Sequence, residues 1–167
     1  MERQDGRGFV LIVTCVVLAI VLGLAGLGID AGRLYVVKSE VQAFTDSASL
    51  SAAMELDGTA AGLRNARDAA ASVTEGEHAM RWDLGSKRIS DFKLSFARGD
   101  SVPEERSWQE SPRDPNGYRF VKVETKVQVP LTLLRAVQGF QSDSSAVSAA
   151  SVAGVFSGEG RVARLIE

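Results

Sequence analysis

Residues 9–29 read FVLIVTCVVLAIVLGLAGLGI. These 21 residues carry no charge and 17 of them are apolar, the exceptions being Thr14, Gly23, Gly26 and Gly28. As a helix rising about 1.5 Å per residue the stretch is roughly 31 Å long, which matches a bilayer hydrocarbon core of about 30 Å. Charge marks both ends, with Arg3, Asp5 and Arg7 before it and Asp30 and Arg33 after it. A cleaved signal peptide has an apolar region of about 7–15 residues, shorter than this one, although Gly23-Leu24-Ala25 has the small-x-small form of a cleavage site. Cys15 follows Thr14 in the middle of the run, not at its end, which argues against a lipoprotein signal. A soluble core helix is rarely apolar on every side over such a length. The expectation is an uncleaved transmembrane helix over residues 9–29, preceded by a short tail, 1–8. Arg3 and Arg7 on one side balance Arg33 and Lys38 on the other, so the positive-inside count leaves orientation open.

The helical pattern continues past the apolar run. Leu34, Val37, Val41 and Phe44 fall three or four residues apart, and Ala48, Ala52 and Leu56 extend the same stripe. Lys38, Glu40, Asp46 and Glu55 lie elsewhere around the helix, so residues 30–57 read as an extramembrane continuation with one apolar face. Proline is absent from residues 9–57, and Gly58 suits a helix C-cap. The Leu34/Val37/Val41/Phe44 stripe requires a surface to pack on, either the chain's own sheet or a partner's helix.

Downstream lies a small domain, residues 58–157. A second helix is expected from about Thr59 to Thr74, with Ala60, Leu63, Ala66, Ala70 and Val73 on one side. The period then changes to two: Phe92, Leu94 and Phe96 alternate with Lys93, Ser95 and Ala97. Asp114-Pro115-Asn116-Gly117 has the chemistry of a tight turn and introduces the clearest strand, Tyr118 to Val129. Pro130 ends that strand and suits the first turn of a short helix around Leu131 to Val137. Val147, Val152, Val155 and Phe156 favour a strand over 142–157, and residues 158–167 read as a frayed or loosely docked tail. The fold class expected is α+β: a long N-terminal transmembrane helix running into a small antiparallel-sheet domain.

Composition narrows the function classes. The whole chain has 167 residues, 19 basic and 21 acidic side chains, a net charge of -2 and 45% hydrophobic content. Phosphate-backbone binding needs clustered cations, so nucleic acid is not an expected partner. One cysteine excludes an internal disulfide, and one histidine, His78, offers no partner group for general-base chemistry. Gly23, Gly26 and Gly28 lie inside an apolar helix with GxxGxG spacing, not in the GxGxxG of a strand-to-helix phosphate loop. Asp46-Ser47-Ala48-Ser49 approaches a metal-binding DxSxS, but Ala48 stands at the second ligand position. Glu104-Glu105 reads as a solvated loop, and Trp108 in the long polar loop 99–117 reads as packing on the sheet edge, with presentation to a partner as the alternative. Catalytic, cofactor and metal sites are not expected, nor is a small-molecule substrate.

Gly28-Ile29-Asp30-Ala31-Gly32-Arg33 followed by Gln42-Ala43-Phe44-Thr45-Asp46-Ser47-Ala48-Ser49-Leu50-Ser51-Ala52-Ala53 resembles the N-terminal module of TadG/TadE-like proteins of bacterial tight-adherence (Flp) pilus assembly. Asp30, Gly32, Arg33, Gln42, Asp46, Ala48, Leu50, Ala52 and Ala53 match that pattern at its spacing, over roughly residues 6–57. Processed pseudopilins carry a Glu five residues into the mature chain; here Val13 follows Gly8 at that distance and Leu11 follows Gly6, so processing is not expected. The absence of DxSxS and the chain length give no support for a von Willebrand-type domain. The resemblance implies a pilin-like, non-enzymatic, single-pass protein of the bacterial inner membrane, with a cytoplasmic N-terminus and a periplasmic or extracytoplasmic domain. Its implied partners are the lipid bilayer and other pilus assembly or pseudopilin subunits, engaged through the N-terminal helix. From the residues alone, a membrane-tethered or secreted envelope binding module unrelated to pili is the competing reading.

Overall fold

The structure, a computed structural model, describes residues 7–74, 89–114, 116–131, 144–158 and 160–166. Helix α1 covers Arg7–Glu55, 49 residues without a break, matching the expected 9–57 to within two residues at each end. Its last turn closes with Leu56 N–H donating to the Ala53 carbonyl, and Gly58 follows at φ +80°, a conformation that favours glycine. Asp57 Oδ1 then accepts from the Thr59 amide and hydroxyl, while Thr59 Oγ1 accepts from Gly62 N–H and so caps helix α2, Ala60–Thr74. The turn is tight enough that a Cβ at Gly62 would lie 2.0 Å from Asp57 Oδ1.

Four strands follow: β1 (Ile89–Arg98), β2 (Tyr118–Pro130), β3 (Ser144–Gly158) and β4 (Gly160–Ile166). They form one antiparallel sheet in sequential order β1-β2-β3-β4. Alternation in β1 and β2 reads out directly in register. Phe92 pairs with Thr125, Leu94 with Val123 and Phe96 with Val121, which puts the apolar members of both strands on one face. The register shifts at the end of this pair: Ala97 faces Phe120 but Arg98 faces Tyr118. The extra residue, Arg119, returns Tyr118 to the apolar face, where its ring meets Phe96 edge-on at 6.5 Å between centroids.

The chain divides into two units, residues 1–36 with 130–145 and residues 37–129 with 146–167. In the second unit the sheet face carrying Phe96, Tyr118, Val121, Val123, Ala153 and Val155 forms one core with two helical layers. Ala48, Ala52, Ala53 and Leu56 come from α1, and Leu63, Ala66 and Ala70 from α2. Alanine at five of the seven helical positions means that backbone approaches backbone closely; larger side chains would hold the layers apart. In the first unit, the described part of α1 leaves almost all its apolar side chains exposed.

One expectation is corrected. Residues 158–167, read as a frayed or loosely docked tail, contain β4, which pairs with β3 from Gly158↔Gly160 to Val152↔Ile166. The driving contact is apolar: Ala163, opposite Val155, packs on the core cluster. The short helix expected around Leu131 to Val137 lies outside the described residues beyond Leu131, and so does His78.

Candidate functional site

Chemistry-bearing clusters are scarce. Among the described residues, His, Cys, Asp and Glu nowhere gather in a group of three or more able to hold a metal ion. Cys15 sits exposed on the apolar stretch of α1. The near-DxSxS at Asp46 is spoken for: Ala48 is fully buried in the core, and Asp46 Oδ1 accepts from Gln42 Nε2 at 2.9 Å. Attention therefore falls on α1 itself, whose two parts face opposite kinds of surroundings.

From Phe9 to Ile29 the helix offers a nearly unbroken apolar surface. Phe9 is 73% exposed, Leu24 67%, and Val10, Leu11, Ile12, Leu18, Ile20 and Leu22 are all exposed. Water tolerates no such contiguous patch on a soluble monomer, whereas hydrocarbon does. This is one helix long and apolar enough to cross a membrane. Two buried positions interrupt the exposed surface, Gly26 and Asp30, which lie one turn apart. Asp30, read from the sequence as a charge at the membrane interface, is in fact only 2% exposed, while Gly32 and Arg33 beside it are exposed.

From Val37 onward the same helix belongs to the folded domain. Val37, Val41 and Phe44 are buried, Leu34 half-buried, and the Phe44 ring meets Phe92 of β1 edge-on at 6.2 Å. Phe44 thus meets the chain's own sheet at Phe92, and Val37 and Val41 are buried within the chain. Ala48, Ala52 and Ala53 of the motif are fully buried, and Leu50 is half-buried.

A polar row runs alongside the apolar one and ties α1 to β3. Lys38 Nζ donates to the Ser148 carbonyl and Gln42 Nε2 to the Ala150 carbonyl at 3.2 Å. Ser49 and Ser151 share a hydrogen bond of 2.9 Å between buried hydroxyls. Gln42 therefore both bonds Asp46 within the helix and reaches the strand, which gives these two motif positions a shared geometry. Lys38, Ser49 and Ser151 were not singled out as site residues from the sequence. The available signal was their spacing, since 38, 42 and 49 recur at near-integral helical turns.

The loop between β1 and β2 is fastened at many points. Gln109 exchanges two backbone hydrogen bonds of 2.9 Å with Phe96 at the edge of β1, and half-buried Trp108 sits next to that bridge. The guanidinium of Arg67 lies over the Phe96 ring and donates to the Glu110 carbonyl. Arg98 covers the Tyr118 ring and pairs with Asp114 at 3.0 Å. The backbone N–H of Asn116, then Arg98, hold the Asp114 carboxyl below the usual carboxylate range. Glu105 lies 3.7 Å from Lys122, in keeping with a solvated loop carboxylate.

No curated protein and no solved structure matches the chain. One family model does, over the part of α1 whose two-sided character is described above. Residues 8–55 of this chain match the Tad family, described as Putative Flp pilus-assembly TadE/G-like.

Proposed function

We propose that the protein is a non-enzymatic, single-pass component of a bacterial Tad/Flp-type pilus assembly apparatus. In this reading residues 9–29 hold it in the inner membrane, the N-terminus is cytoplasmic, and the domain from Val37 onward is periplasmic or extracytoplasmic. Asp30, Gly32 and Arg33 mark the exit from lipid. Gln42, Asp46, Ala48, Leu50, Ala52 and Ala53 fasten the helix to its domain, and the lipid-facing part contacts other assembly subunits. One observation carries the reading: the segment matching the pilus-assembly family, residues 8–55, coincides with the helix that is lipid-like in its first part and core-forming in its second.

The test is alkaline extraction of membranes from cells expressing the full chain, with protease accessibility in spheroplasts and sequencing of the mature N-terminus. Retention in the membrane, digestion of the domain from outside and an intact N-terminus are expected. A mature start near residue 26 would sink the anchor, and one near residue 9 would replace it with a processed pseudopilin. Assembly is read separately. Deleting the gene should abolish surface pili, and a deletion strain with normal pili would leave a tethered envelope module of another kind.

A further inference from the structure

By residue order the lipid-like run ends at Asp30, but the exposed surface of α1 changes character further along. Asp30, the charge that closes the run, is 2% exposed, so the surroundings of the helix do not meet it. Arg33 is the one exposed charge between Phe9 and Val36, and its long stem lets the guanidinium reach toward polar head groups. Around it the surface stays apolar. Tyr35 is 78% and Val36 55% exposed, and Ala31 and Gly32 are exposed as well. Polar surface begins with Lys38 and Ser39, the next exposed residues after Val36. The part of α1 that belongs to the first unit also ends at Val36, and Val37 is already buried.

Width and depth identify what covers this surface. Exposed positions 31, 32, 33, 35 and 36 span about 200° of the circumference at 3.6 residues per turn. The stripe by which a helix packs on a neighbour is about 100° wide. A surrounding medium fits that width, and one docked helix does not. The surface is also continuous with the exposed apolar surface of residues 9–29. With residues 9–29 filling the hydrocarbon core, the Cα of Tyr35 stands about 9 Å beyond Ile29. Helical side chains lean toward the N-terminus, which carries the ring back over the preceding turn. Head groups add roughly 5–7.5 Å to each leaflet, so the ring falls in their layer. There the apolar body and the polar hydroxyl of a tyrosine are both satisfied.

We propose that the phospholipid head-group layer on the domain side lies along Ala31–Val36, with Tyr35 as its interfacial anchor, a placement that rests on the transmembrane reading of residues 9–29. No water-exposed turn of helix then separates lipid from Val37. The test uses the full chain in a Cys15→Ser background, reconstituted in phosphatidylcholine vesicles, with a nitroxide on one introduced cysteine at a time. Relaxation by oxygen, which concentrates in hydrocarbon, is compared with relaxation by a polar nickel chelate, which stays in water. Leu18→Cys should give the highest oxygen-to-nickel ratio and Ser39→Cys the lowest, with Tyr35→Cys and Val36→Cys severalfold above Ser39→Cys. Gly32→Cys, where a Cβ meets nothing within 4 Å, supplies the same reading if either of these fails to fold. Ratios at positions 35 and 36 equal to that of Ser39→Cys overturn the placement, and the anchor still stands if Leu18→Cys is shielded from nickel. Nickel access at Leu18→Cys overturns the anchor, and the placement with it. Labels at 35 and 36 that are immobilised and shielded from both reagents overturn lipid as the occupant and assign the surface to a protein partner.

Discussion

The ring of Phe120 on β2 fills the space where a side chain at Gly154 of β3 would stand. A Cβ at position 154 would lie 2.4 Å from Phe120 Cδ1, closer than any real contact allows. Phe156 meets the Phe120 ring edge-on at 5.8 Å, so an aromatic pair roofs a glycine that would otherwise weaken the strand. Gly154→Ala should therefore destabilise the domain by about 1–3 kcal/mol through overpacking. Thermal unfolding of the detergent-solubilised protein checks this, and Phe120→Leu in the same chain should recover part of the loss.

The alanines of α1 make a complementary prediction. Ala52 is fully buried between α1, α2 and the sheet, whereas Met54, two residues on, is 65% exposed. Ala52→Leu should lower stability by roughly 1–3 kcal/mol, since extra methylenes in a close-packed layer force it apart. Met54→Leu should change it by less than about 0.5 kcal/mol, as expected of an exposed position. Equal effects at the two sites would mean that the helix does not pack on the sheet through its alanine face.

Phe44 anchors the C-terminal half of α1 by its contact with Phe92. Truncation to alanine should cost about 3–5 kcal/mol. Phe44→Asp adds an unpaired buried charge and should prevent the domain from folding. Resistance of the domain to limited proteolysis reports both. If Phe44→Asp stays as resistant as the wild type, the stripe has no packing role.

Acid sensitivity follows from Asp114. Its carboxyl is held low by the Asn116 amide and by Arg98, so the folded state binds a proton there less readily than the unfolded chain does. Such a group contributes stability above the unfolded-state value of about 3.9 and loses it as pH falls through the folded value. The contribution is small because the group is exposed. Asp114→Asn should flatten the decline of melting temperature below about pH 4 relative to the wild type. The two profiles should run parallel at neutral pH.

Much of this arrangement is legible in residue order. The period-two alternation of β1 and β2 announces which residues are buried, because neighbouring side chains on a strand point to opposite faces whatever lies beyond. Strand β4 is less legible: Gly160, Arg161 and Arg164 dilute its apolar content. Only the partner strand β3 makes the segment extended. Gly154 has no local signature either, since the reason for a glycine there is a ring 34 positions earlier in the chain.

The sequence by itself determined where the uncharged apolar run ends and the amphipathic part of the helix begins. A run of 21 uncharged residues has one low-energy way to satisfy its backbone in hydrocarbon, and the helix follows from that local requirement. Its resemblance to the TadG/TadE-like pattern also marked out the motif positions of α1. What only tertiary structure decided is what those positions do. The Leu34/Val37/Val41/Phe44 stripe was compatible with any apolar surface; folding buries Val37 and Val41 and sets Phe44 against Phe92 of β1. Asp30 looked like an interface charge and is buried; Gln42 looked like a motif letter and reaches the Ala150 carbonyl, 108 residues away. Helices are made by neighbours in sequence, whereas burial and hydrogen-bond partners are set by neighbours in space.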